Sequence, residues 1–194
     1  MSTASLKAHF TYADYAKLDK DTRFEVMNGQ VYIMSANPMP RHQEVAGQLK
    51  NTFSERLRGK DFKLFSSPAD VCLGGEFASP ETIEEWVQPD LAIVCGNARS
   101  SGGNLMGTPD FIAEVICPAT VKKDCIDKFY RYERAGVREY WLVDPFNEMI
   151  EVYVLKNGKY ERNGVYFKAD RIPVTILHGT AIDGKEIFRL PGFE

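Results

Sequence analysis

One carboxylate in an unfavourable place constrains this chain more than any other feature. Phe111-Ile112-Ala113-Glu114-Val115-Ile116 is apolar on both faces except for Glu114. A run of this kind suits a strand covered on both sides. Pro118 and Thr120 break it, and Thr120 stands where an N-cap belongs. Val121 to Ala135 reads as a helix closed by Gly136 at the C′ position. Glu139-Tyr140-Trp141-Leu142-Val143 is a second apolar strand, stopped by Asp144-Pro145. Strand, helix and strand in so short a span form a βαβ unit, with parallel neighbouring strands and a right-handed crossover. The fold class is therefore α/β, with a mixed sheet and helices on its faces.

The flanking segments extend that sheet. Tyr12 to Leu18 reads as a short helix. Asn28-Gly29, between Phe24-Glu25-Val26-Met27 and Val31-Tyr32-Ile33-Met34, favours a type I′ turn and hence a hairpin. Pro40 opens a helix to about Arg58, with Val45, Leu49, Phe53 and Leu57 in one apolar stripe. Phe62 to Phe65, Ala69 to Leu73 and Trp86 to Val94 read as extended, the last interrupted by Pro89. Gly96 to Pro109, rich in Gly, Ser and Asn, reads as a loop placed to edge a cleft. Ile150 to Leu155 and Lys159 to Phe167 flank Asn157-Gly158 as a second hairpin, and the tail reads as extended segments and turns.

At 194 residues the chain suits one domain over 1–194, with Met1 to Phe10 as a flexible lead. A net charge of -3 lowers the expectation of an architectural DNA binder, so any nucleic acid must be met by local patches. Cys72, Cys95, Cys117 and Cys125 form no C-x-x-C pair, which argues against a disulfide framework or a thiolate zinc site. His9, His42 and His178 are scattered. Neither a signal-peptide core nor a run of membrane-span length is visible, so a cytoplasmic location is expected.

Glu114 shares a strand face with Ile112 and Ile116, where an isolated carboxylate costs several kcal/mol unless paired or metal-bound. Asp90 is a candidate neighbour from another central strand. Two carboxylates brought together must share a proton or a cation. A hard divalent ion with oxygen ligands, Mg²⁺ or Mn²⁺ in its place, answers both problems. On the following helix Asp124, Lys128 and Tyr132 are spaced i, i+4, i+8 and share a face. A lysine there could orient an attacking water and stabilise charge building on a phosphate.

Several segments resemble the Uma-two family, a group of restriction-endonuclease-type proteins within the PD-(D/E)XK nuclease superfamily. They are Val87-Gln88-Pro89-Asp90, Glu114-Val115-Ile116-Cys117-Pro118-Ala119-Thr120, the set Asp124, Lys128 and Tyr132, and Ala135 through Asp144-Pro145. The resemblance runs from about Phe24 to Phe188, and its most specific part ends in Asp144-Pro145. It implies a restriction-endonuclease-like mixed central sheet flanked by helices, with Asp90 and Glu114 as metal ligands. The superfamily's usual lysine position, two after the glutamate, is Ile116 here, and Lys128 on the next helix matches the family's lysine. Glu25 matches another acidic position, and His42-Gln43 fits the family pattern, making Glu25, Gln43 and Asp124 accessory candidates. Asn28-Gly29-Gln30 and Cys117-Pro118-Ala119-Thr120 depart from the family's usual D-G-E and S-P-S-T.

The resemblance implies a Mg²⁺-dependent endonuclease acting on DNA, double-stranded by expectation, with a homodimer as a reasonable assembly. Lys122, Lys123 and Arg131 are candidate phosphate contacts on a basic helix. Plainer readings stand beside these. Glu114 also fits a structural ion pair, Asp90 a turn residue, and Lys128 a solvated helix lysine. A catalytically silent nuclease-fold binding or dimerisation module, or a hydrolase of another phosphate ester, fits the same residues.

Overall fold

A computed structural model describes residues 10–18, 23–27, 30–34, 39–74, 77–96 and 99–189. The flexible-lead expectation, apart from Phe10, and the Asn28-Gly29 turn fall outside these residues. In chain order the elements are α1 (Tyr12–Tyr15), β1 (Phe24–Met27), β2 (Gln30–Ile33), α2 (Pro40–Leu57), β3 (Phe62–Ser66), β4 (Val71–Cys72), β5 (Leu91–Cys95), β6 (Ser100–Ser101), β7 (Asn104–Met106) and β8 (Phe111–Val115). A π-helical segment, Lys123–Lys128, then runs into α3 (Phe129–Ala135). There follow β9 (Glu139–Asp144), β10 (Met149–Lys156), β11 (Lys159–Phe167), β12 (Arg171–Val174), β13 (Thr180–Asp183) and α4 (Gly184–Phe188).

The central sheet has six strands in the order β11-β10-β9-β8-β5-β3. Only β8 and β9 run parallel, as the βαβ pattern requires, with Glu114 beside Leu142. Along β8 the side chains alternate between faces. Phe111, Ala113 and Val115 pack with Val45, Leu49, Phe53 and Leu57 of α2. Ile112 packs on the other side with Tyr132 and Val137, under the π-helical segment and α3. Each fully buried apolar side chain in these layers contributes about 1.5–3 kcal/mol. Gly136 ends α3 in the left-handed region (φ 87°), a conformation glycine adopts without a Cβ penalty.

Both hairpins form. β1 pairs antiparallel with β2, and β10 with β11 across Asn157 and Gly158, whose φ values of 51° and 77° suit the tight turn. Four expectations need correction. The strand expected over Trp86 to Val94 is confined to β5, because Pro89 lacks an N–H and the segment before it bridges to Val26 and Val71 instead. The loop expected over Gly96 to Pro109 contains β6 and β7, and β7 pairs parallel with β4, burying Leu105 and Met106. The helix expected over Val121 to Ala135 is π-helical in its middle. The described part of the tail includes a helix, α4, whose N-cap Asp183 forms a capping box with Glu186. None of the described helices is long and apolar enough to cross a membrane.

Candidate active site

β5 and β8 are antiparallel, with Leu91 opposite Ala113. One step further along that register sets Asp90 beside Glu114. The placement is pinned by a hydrogen bond, since Asp90 Oδ2 accepts the backbone N–H of Val115 at 2.8 Å. Asp90 Oδ2 also lies 3.2 Å from His42 Nε2 in the first turn of α2. The His42 Nδ1 atom is buried with no hydrogen-bond partner among the described residues. Gln43, its neighbour, is exposed.

Glu114 is 3% exposed, on the sheet face that the π-helical segment and α3 cover. Its Oε1 accepts from Lys128 Nζ at 2.7 Å and from the Tyr132 hydroxyl at 2.7 Å. Lys128 is equally buried and lies 2.7 Å from Glu25 Oε1 and 3.8 Å from Asp124 Oδ1. Lys123 Nζ donates to the other Glu25 oxygen at 2.6 Å. The backbone N–H of Gln88 completes the cradle of Glu25, donating to Oε1 at 2.8 Å. Sequence reasoning set Asp124, Lys128 and Tyr132 on one helix face, and all three are buried there. The π-helical turn adds Lys123, five residues before Lys128. At that spacing a regular α-helix turns the two side chains well apart, whereas the wider turn lets both reach Glu25.

The electrostatics follow from burial and from the excess of carboxylates. Burial pushes the Glu114 carboxyl up to about 8, against the pull of Lys128, and Asp124, Asp90 and Glu25 add to the rise. Asp124 is likewise raised by burial, against Lys128. Glu25 suffers the same desolvation, yet Lys128 and Lys123 outweigh it and hold its carboxyl below the usual value. Burial pulls the Lys128 ammonium down, but Glu114, Glu25 and Asp124 outweigh it and hold the group well above its ordinary value. Such a lysine is a fixed positive charge, not a proton acceptor.

The structure thus gathers Glu25, Asp90, Glu114, Asp124 and Lys128. The candidate phosphate contacts are distributed differently. Lys123 is engaged with Glu25, Arg131 pairs with Glu85, and Lys122 is exposed. Two neighbours of the cluster escaped the sequence reading in that role: His42 as a partner of Asp90, and Gln88 as a donor to Glu25. Both lay within segments matching the family pattern, but nothing in their local sequence names their partners.

The chemistry of the donor set bears on a metal. Among the described residues no three His, Cys, Asp or Glu side chains converge in a metal-holding arrangement. Asp90 and Glu114 supply two hard oxygen donors, with Glu25 and Asp124 adding negative charge nearby. Mg²⁺ suits that supply, because it commonly takes one or two carboxylates and fills its shell with water and phosphate oxygens.

Comparison with known proteins comes to the same fold. The sequence pattern of the Uma2 family, described as "Putative restriction endonuclease", matches residues 12–183. No curated protein matches the chain. A crystal structure of "a putative nuclease belonging to DUF820" from Anabaena variabilis superposes with a TM-score of 0.70 at 16% identity, covering 93% of this chain and 98% of that one. At that identity the likeness is one of fold.

Proposed function

The chain belongs to the Uma2 family, and from that premise we propose that it is a metal-dependent endonuclease hydrolysing phosphodiester bonds in DNA. The observation that carries the reading is Glu114, a carboxylate held inside an apolar sheet face beside Asp90 and Lys128. A purely structural strand gains little from that arrangement, since removing one member of a buried charge network costs about 3–5 kcal/mol while an apolar substitute for the whole is often tolerated.

Asp90 and Glu114 would hold a divalent cation, Mg²⁺ or Mn²⁺ in its place. When bound, such an ion lowers the pKa of a water and polarises a phosphate oxygen. The chain's own residues do the rest. Val115 N–H and His42 fix Asp90 from two sides. Lys128 and Tyr132 fix the direction of the Glu114 carboxylate. The Lys128 ammonium, kept charged by its acidic neighbours, places positive potential where charge builds on the phosphoryl oxygens. Lys122 is free to meet a neighbouring phosphate at the exposed side of the helix.

A plasmid cleavage assay with Mg²⁺, Mn²⁺ or EDTA tests the reading. Metal-dependent nicking or linearisation that Glu114→Ala and Lys128→Ala abolish is expected. A wild-type protein inert toward DNA with both metals overturns it. One observation favours a second reading, a nuclease-fold module that binds without cutting: Lys128 already has Glu25 and Glu114 at 2.7 Å. That module would bind DNA with an affinity indifferent to Glu114→Ala.

A further inference from the structure

The hydrogen-bond network behind Glu25 contains a residue whose side chain is saturated on every side. Gln88 is 3% exposed. Its Oε1 accepts from Arg23 Nε at 3.2 Å and from Arg23 Nη2 at 2.8 Å. Its Nε2 donates to Asp70 Oδ1 at 2.6 Å and to the Tyr15 hydroxyl at 3.2 Å. The amide's orientation follows from its partners. A flipped amide would face NH₂ to a guanidinium and carbonyl to a carboxylate, losing the bonds to Arg23 and Asp70 and keeping at most the one to the Tyr15 hydroxyl.

Asp70 is in turn held by the Tyr12 hydroxyl at 2.7 Å, and its backbone N–H donates to Asn104 Oδ1 at 2.9 Å. The network therefore joins α1, β7 and the segment leading into β5. Gln88 stands two residues before Asp90, and its backbone N–H donates to the same Glu25 oxygen that Lys128 meets. Arg23 stands two residues before Glu25 on the adjoining β1 segment. One amide side chain thus ties together the two backbone segments that deliver Glu25 and Asp90.

We propose that Gln88 is a positioning residue for the cluster: gripped by Arg23 and Asp70, it holds its own backbone N–H on Glu25 and so fixes where Lys128 stands relative to Glu114. This role rests on the nuclease reading for its catalytic consequence, but not for its structural one. Gln88 touches no reacting atom. It acts through Glu25, and through Glu25 on Lys128. Misplacing a catalytic group by about 1 Å can cost a hundredfold in rate.

Two kinds of measurement test this. The first needs no activity. In Arg23→Met, which leaves residue 88 as glutamine, the Gln88 backbone amide proton is followed by nitrogen–proton NMR. We expect it to shift upfield and to exchange with solvent about tenfold faster or more, as a hydrogen bond to a carboxylate is loosened. An unchanged amide in a folded Arg23→Met protein overturns the proposal.

The second uses a swap of polarity. Gln88→Glu sets its carboxylate against that of Asp70, whereas Asp70→Asn alone keeps an amide oxygen that can still accept from Gln88 Nε2. The double variant restores a donor–acceptor pair with donor and acceptor exchanged. Gln88→Glu is expected to lose about tenfold or more in kcat for plasmid cleavage with KM for DNA within about twofold, Asp70→Asn to stay within about threefold of wild type, and the double variant to recover most of the Gln88→Glu loss. A change in KM rather than kcat, or a double variant as slow as Gln88→Glu though folded, overturns the proposal. If the wild type cleaves no DNA, the nuclease reading fails alone, and the amide measurement still decides the role of Gln88.

Discussion

Two buried glutamates on neighbouring strands of the central sheet meet opposite fates. Glu139 on β9 faces the α2 side and is fully buried. Its carboxylate accepts the Trp141 indole N–H at 2.8 Å and the Ile176 backbone N–H at 2.9 Å. Glu114 on β8 faces the other side, where an ammonium, a phenol and further carboxylates surround it. Neutral N–H donors satisfy Glu139 and leave it no task beyond tying β9 to the segment before β13. Glu114 sits in an excess of negative charge that a cation would relieve. Burial by itself therefore does not mark a functional carboxylate. The sign of its neighbours does.

The largest expected effect breaks the comparison on the functional side. Glu114→Ala should remove metal-dependent DNA cleavage by about a thousandfold or more, while Glu139→Gln should retain it within about threefold, both read in the plasmid assay. If the two variants lose activity alike, the distinction between them fails.

Next in size is the loss of a buried cation. Lys128→Met leaves Glu25 and Glu114 without their shared ammonium. It should destabilise the fold by about 3–5 kcal/mol, measured by urea unfolding. A double variant, Lys128→Met with Glu114→Gln, should recover part of that, because Glu25 keeps Lys123 and the carboxylate left without a cation is then neutral.

The pH dependence of stability sharpens the comparison. Burial pushes the Glu139 carboxyl up to about 7 from its usual 4.5, against the pull of its N–H donors. Between those values the folded chain holds a proton that the unfolded chain has released. The stabilisation tied to Glu139 is thus complete below about pH 4.5, falls as pH rises, and levels off above about 7. Glu139→Gln should lower stability by about 1–3 kcal/mol through the lost N–H acceptor, and should flatten this slope relative to wild type. Parallel curves for the two proteins would show that Glu139 does not titrate in that window.

The smallest effect supplies the baseline. Lys156 and Glu161 pair at 2.9 Å across the β10–β11 hairpin, each more than half exposed. Lys156→Ala should change stability by less than about 1 kcal/mol, and by still less at high salt. A larger change would mean that burial is not what separates the two glutamates from a surface pair.

Much of the candidate site was legible locally. Glu114 announced itself as the one charge in an apolar strand, Lys128 through its spacing from Asp124 and Tyr132, and Asp90 through the segment Val87-Gln88-Pro89-Asp90. The parallel pairing of β8 and β9 followed from strand, helix and strand. Other features were not legible. The strands β6 and β7 hide in a Gly- and Ser-rich segment because β7 is held by pairing with β4, some thirty residues earlier, and β6 by pairing with β7. The π-helical turn leaves the same apolar spacing as an α-helix over so few residues. The bonds of Gln88 to Arg23, Asp70 and Tyr15 join positions far apart in the chain.

By itself, the sequence determined the class of the fold, the pairing of β1 with β2, the tight turn between β10 and β11, the apolar stripe of α2 and the carboxylate that needs an explanation. Each of these rests on periodicity or on turn chemistry within a few residues. Tertiary structure alone decided which charges neutralise one another: Lys123 and Lys128 on Glu25, His42 on Asp90, Gln88 between Arg23 and Asp70. Those choices depend on strand order and register, which bring distant side chains within hydrogen-bonding distance, and no local pattern encodes a contact between residues that only the completed sheet makes neighbours.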